Sequence, residues 1–182
     1  GGHRELWETF FAGKPQQYVS SWTSGRCGMH VHVSAQSISH LTLGKLNSFY
    51  NDPLNYRFLS MIAGRDITKN NYCRPNPSRS SPKSAFASQK AQTHYAKVKH
   101  VYYGGSGGRH EVEHHDAFVC SEQARKPTYE LRIFRGNLAK AGFLKNLEFV
   151  DAVISYAEET PYGRINYENF LHWFQAPTNL AR

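Results

Sequence analysis

The sequence predicts an α+β fold: an antiparallel sheet with helices packed on one face. Two observations carry this. Gly28-Met29-His30-Val31-His32-Val33-Ser34 and Tyr129-Glu130-Leu131-Arg132-Ile133-Phe134 alternate polar and apolar residues, the period of two that a strand imposes. Other stretches carry apolar residues at helical spacing, most clearly 139–159 with Phe143, Leu144, Leu147, Val150, Ile154 and Ala157.

Taken in order, residues 3–12 form a short helix with Leu6, Trp7, Phe10 and Phe11 on its apolar side. Residues 15–26 are irregular and lead into the first strand, about 28–34. Ser37 or Ser39 caps a helix through Tyr50, with Leu41, Leu43, Leu46 and Phe49 as core positions. Asp52-Pro53 is an N-cap followed by proline at the first helical position. That helix carries Leu54, Phe58, Leu59 and Ile62, and Gly64 ends it. Residues 70–92 read as a long polar loop, a lid or a disordered segment. Residues 98–103 read as a strand, and Gly104 to Gly108 as a flexible turn without a nucleotide-binding glycine pattern. Strands follow at 114–120 and 128–135. Pro161 and Gly163 break the 139–159 helix, and a last helix, 166–175, carries Phe170, Leu171 and Phe174. No repeat or boundary divides residues 1–182, which read as one domain.

A composition 40% hydrophobic and 14% aromatic excludes a disordered chain. The net charge of +8 fits an anionic partner (nucleic acid, nucleotide phosphates or an acidic substrate) and equally a generally basic soluble protein. The basic residues are scattered, apart from a loose cluster from Arg74 to Lys99. Cys27, Cys73 and Cys120 show no framework spacing and no Cys-x-x-Cys pair, which fits a reducing, cytoplasmic compartment and argues against a structural zinc site. No apolar run approaches the roughly 18 residues of a membrane span. The chain opens Gly1-Gly2-His3 without Met and is expected to be part of a longer one.

The chemistry lies on the two strands. His30 and His32 share one strand face, and Glu130 and Arg132 share another. With those faces aligned, two imidazoles, a carboxylate and a guanidinium meet, a set suited to a divalent cation and a phosphate. The competing reading is a pair of hydrogen-bonded strand histidines and an Arg132–Glu130 ion pair. Cys27 beside the strand is a small buried residue or a nucleophile with His30 or His32 as its base. His110-Glu111-Val112-Glu113-His114 matches the zinc-hydrolase string, but that mechanism needs a helix. The glycines upstream and the alternation downstream argue against a helix, and zinc hydrolysis through His110, Glu111 and His114 stands as a third, weaker reading.

Several blocks together resemble the amidoligase family, carboxylate–amine ligases with a glutamine-synthetase-like fold. They are Cys27-Gly-Met-His30-Val-His32-Val-Ser34, a helical pair ending near Arg65, Asn71-Tyr72-Cys73, and Glu130-Leu-Arg132-Ile-Phe134-Arg135-Gly136-Asn137-Leu138 before a long amphipathic helix. The resemblance covers about residues 25–160. It implies ATP- and Mg²⁺- (or Mn²⁺-) dependent condensation of a peptide or small-molecule carboxylate with an amine through an acyl-phosphate, in a bacterial or phage setting. His30 and Glu130 would be metal ligands. His32 would lie near the nucleotide phosphates, and Arg132 would contact the transferring phosphoryl group. Arg135 would also face the nucleotide, although regular alternation places it on the opposite side of the strand. The family carries paired glutamates on strands upstream of the histidine block. Here 26 residues precede Cys27, and Glu5 and Glu8 fall in a predicted helix, so an upstream segment or a partner chain is expected to complete the metal site. The alternative is a non-catalytic structural, nucleic-acid-binding or partner-binding protein on the same fold.

Overall fold

A computed structural model describes residues 2–23, 28–34, 37–69, 73–77, 80, 113–114 and 128–180. The helices are α1 (Gly2–Ala12), α2 (His40–Asn51), α3 (Tyr56–Ala63), α4 (Lys140–Glu159), α5 (Tyr167–Gln175) and the single turn α6 (Pro177–Leu180). The strands are β1 (Gly28–Ser34), β2 (Glu113–His114) and β3 (Thr128–Arg135). They form one sheet in the order β1-β3-β2, antiparallel at both pairings. The expected strands 98–103 and 115–120, the glycine turn, most of the 70–92 loop, Cys27 and Cys120 lie outside the described residues.

Local chemistry sets the element ends. Ser39, not Ser37, is the N-cap of α2, its Oγ accepting from the Thr42 amide at 3.0 Å. Asp52 accepts from the Leu54 amide and starts a 3₁₀ turn, Pro53–Asn55, that leads into α3. Gly64 closes α3 at φ 70°, a left-handed conformation that costs glycine little. Asn166 caps α5 by accepting from the Asn169 amide at 2.8 Å.

One apolar cluster joins sheet and helices: Val31, Leu131, Ile133 and Phe134 meet Leu43 and Leu46 of α2, Phe58 and Leu59 of α3, and Phe149, Val150 and Val153 of α4. The even-numbered residues of β1 are exposed, so helices cover one sheet face and leave the polar one open. Phe170 of α5 is the aromatic hub, with ring contacts to Phe49, Phe58, Phe149 and Tyr156. The N-terminal helix sits against α4 through Trp7 and Phe11 on Phe143 and through an ion pair from Lys140 to Glu8.

Several expected core positions are corrected. Leu6, Leu41, Leu54, Leu171 and Phe174 are exposed. In α2 every residue from Thr42 to Asn51 is buried, so no single apolar stripe marks its inner side. Lys45 is buried there, its Nζ donating to the Ala157 carbonyl at 2.7 Å in the last turn of α4, where cations suit the helix dipole. Buried Asn55 donates to the Phe49 carbonyl and accepts from the Tyr167 amide, tying α2 to α5.

Candidate functional site

The open sheet face carries the predicted constellation. His32 pairs in register with Glu130 across β1 and β3, and paired residues share a face. His30 Nδ1 lies 2.6 Å from Glu130 Oε1, and His32 Nε2 lies 3.8 Å from the same oxygen. Arg132 Nη1 is 3.8 Å from Glu130 Oε2, beyond hydrogen-bond reach. The carboxylate is buried, while His30 and His32 are open to solvent at 39% and 53% side-chain exposure. A ligand therefore meets the imidazoles first and the carboxylate through them.

Burial pushes the His30 pKa below the usual imidazole value, against the pull of Glu130; Arg132, His32 and Arg65 add to the lowering. A neutral His30 donates through Nδ1–H to the carboxylate and leaves Nε2 as an acceptor or metal ligand. The Nε of Arg132 is buried without a hydrogen-bond partner among the described residues. The competing reading of an Arg132–Glu130 ion pair is met at 3.8 Å, a contact of charges rather than a hydrogen bond.

The register corrects the expectation for Arg135. Met29 pairs with Phe134 and Val31 with Leu131, so two steps on β1 oppose three on β3. That is a β-bulge, which inserts a residue and rephases the strand. Beyond it Arg135 stands opposite Gly28, on the side of His30 and His32. Its guanidinium stacks on Trp22, 4.3 Å from the ring centroid, and its Nε donates to the Trp22 carbonyl.

Arg65 and Trp22 carry roles that no sequence pattern marked; only their distant partners reveal them. Arg65 follows Gly64 and reaches the bulge, with Nε to the Ile133 carbonyl at 2.7 Å and Nη2 to the Arg132 carbonyl at 2.9 Å. Gly28 makes room, because a Cβ there would lie 3.3 Å from Arg65 Nη2 and from the Phe134 carbonyl oxygen. Burial lowers the Arg65 pKa; Cys73 opposes this, and Arg135 and Arg132 add to it. Three guanidiniums thus crowd one end of the sheet, a field that favours an anion.

Comparison with protein-family models, curated proteins and solved structures finds no match to this chain.

Metal ligation is only partly provided for. Among the described residues no group of three or more His, Cys, Asp and Glu is arranged to hold an ion. Glu8 faces Lys140 and not the sheet histidines. One buried carboxylate does not make a resident Mg²⁺ site, since that ion prefers six oxygens; it suits a cation that arrives already held by phosphate oxygens. Of the zinc-hydrolase string, His110 and Glu111 lie outside the described residues, while Glu113 and His114 are strand β2 rather than helix. No helix among the described residues is long and apolar enough to cross a membrane.

Proposed function

We propose that the open sheet face binds the phosphates of ATP, with Mg²⁺ or Mn²⁺ carried by the nucleotide, in a ligase that joins a carboxylate to an amine. The finer reading of the fold as a glutamine-synthetase-like catalytic domain, and of the setting as cytoplasmic, belongs to the same proposal. One observation carries it: His30, His32, Glu130 and Arg132, from segments about a hundred residues apart in the chain, gather on one face with His30 against the buried carboxylate. The rephased Arg135, a second guanidinium on the histidine side of the sheet, supports an anionic ligand there.

In this reading Arg132 and Arg135 offset the charge on the phosphates, and Arg132 meets the phosphoryl group that passes to the carboxylate oxygen. The Glu130–His30 bond holds the imidazole so that Nε2 faces the ligand side. The amine then displaces phosphate from the acyl carbon, loses a proton and leaves the amide.

The test is the thermal midpoint of the chain with ATP and Mn²⁺, alongside Glu130→Ala. Ligand at about a hundred times its Kd adds about 2.7 kcal/mol to the folded state. A metal-dependent rise in the wild type that Glu130→Ala abolishes is expected. A chain unmoved by nucleotide but binding nucleic acid in a steeply salt-dependent manner would replace this reading with the non-catalytic one.

A further inference from the structure

We infer that Arg65 is a positioning residue that holds the β3 bulge, and that through the bulge it brings Arg132 and Arg135 to bear on one anion. The inference rests on the phosphate-binding reading of the sheet face.

A bulge interrupts the ladder and leaves backbone groups without their regular partners, and a buried carbonyl without a donor is costly. The two successive carbonyls at this bulge, Arg132 and Ile133, both receive Arg65. A guanidinium presents its donors in a fixed planar fork, so two bonds from one side chain set distance and direction together. Lysine, a single rotating ammonium, cannot reproduce that.

The consequence is one of phase. Strand side chains alternate faces, so a shift of one residue moves every later side chain to the other side. With the extra residue in place, Phe134 opposes Met29 and is fully buried, while Arg135 opposes Gly28 on the histidine face. Without it the two would exchange faces, placing a phenyl ring at the site and a guanidinium against the core. The clamp comes from outside the sheet: α3 ends at Gly64, whose positive φ turns the chain, and Arg65 follows at once. Gly28 leaves the space that the clamp occupies.

Nε and Nη2 of Arg65 are committed to backbone carbonyls, so the effect on a ligand runs through Arg132 and Arg135. A double-mutant cycle reads that route. ATP affinity with Mn²⁺ is measured by calorimetry for the wild type, Arg65→Ala, Arg135→Ala and the double variant, with thermal midpoints recorded in parallel. Arg65→Ala is expected to weaken binding about tenfold, and to weaken it far less when Arg135 is already absent, a coupling of about 1 kcal/mol or more. Arg65→Lys, which keeps the charge, is expected to fold and still to bind more weakly than wild type; it carries the test if the alanine variant does not fold. Equal losses of affinity in both backgrounds, or full affinity in Arg65→Lys, would overturn the positioning role while leaving the proposed function standing. A wild-type chain that binds neither ATP nor inorganic phosphate would overturn both.

Discussion

His30 shows how one buried carboxylate determines what an exposed ring can do. Glu130 accepts the hydrogen bond of Nδ1–H, and burial, with three cationic or imidazole neighbours, lowers the ring's pKa against the pull of that carboxylate. A neutral, oriented imidazole results, the form that ligates metals or accepts protons. Tyr56 shows the same burial acting on a phenol. Its hydroxyl donates to the Asn51 carbonyl at 2.8 Å, and burial, then Asp52, raises its pKa to about 12. An unfolded phenol titrates near about 10, so between these values the folded chain keeps a proton that the unfolded chain releases. The stabilisation is complete below about pH 10 and is lost as pH rises through about 12. Thermal midpoints across that window are expected to fall less steeply in Tyr56→Phe than in the wild type. Parallel curves would remove Tyr56 from the alkaline transition.

At the scale of elements, the end of α3 matters most, because the turn that stops it also launches Arg65. Gly64 is at φ 70°, and a Cβ there would lie 3.1 Å from Trp22 Cη2. Gly64→Ala therefore strains the backbone and pushes on the ring that carries Arg135; about 1–2 kcal/mol of destabilisation is expected in urea unfolding. Gly163 is the contrast, with nothing within 4 Å of an added Cβ, so Gly163→Ala is expected within about 0.5 kcal/mol of wild type. Similar values for the two would mean that the α3 turn is not under this constraint. Helix α2 teaches a different lesson. The apolar pattern marked Leu43, Leu46 and Phe49 correctly and Leu41 wrongly. Neighbours surround this helix, and its buried Lys45 and Asn51 donate to backbone carbonyls. Hydrophobic periodicity sees only one-sided burial.

Across the whole molecule, the core works as one body because aromatic rings from α2, α3, α4 and α5 converge on Phe170. That side chain is 4% exposed and meets four buried rings from three other helices, with centroids at 5.4 to 5.9 Å. Phe170→Ala removes the hub and is expected to cost about 3–5 kcal/mol in equilibrium unfolding. A loss below about 1 kcal/mol would show that α5 is peripheral to the cooperative unit. The same packing supports the site indirectly, since the apolar backs of β1 and β3 rest on these rings while their polar fronts face outward.

The sequence by itself determined the strands at 28–34 and 128–135, the long helix before Pro161, the Asp52 cap and the Gly64 stop. It also determined that His30 and His32 share one strand face and that Glu130 and Arg132 share another. These follow from signals confined to a few neighbouring residues: the period of a strand, the period of a helix and the chemistry of caps. Only the tertiary structure decided that β3 carries a bulge, that Arg135 rejoins the histidine side and that Arg65 holds it there. A bulge is set by where distant donors can meet carbonyl oxygens. Arg65 finds its two acceptors 67 and 68 residues away, a pairing that no local pattern records and that exists only once helix and sheet have packed.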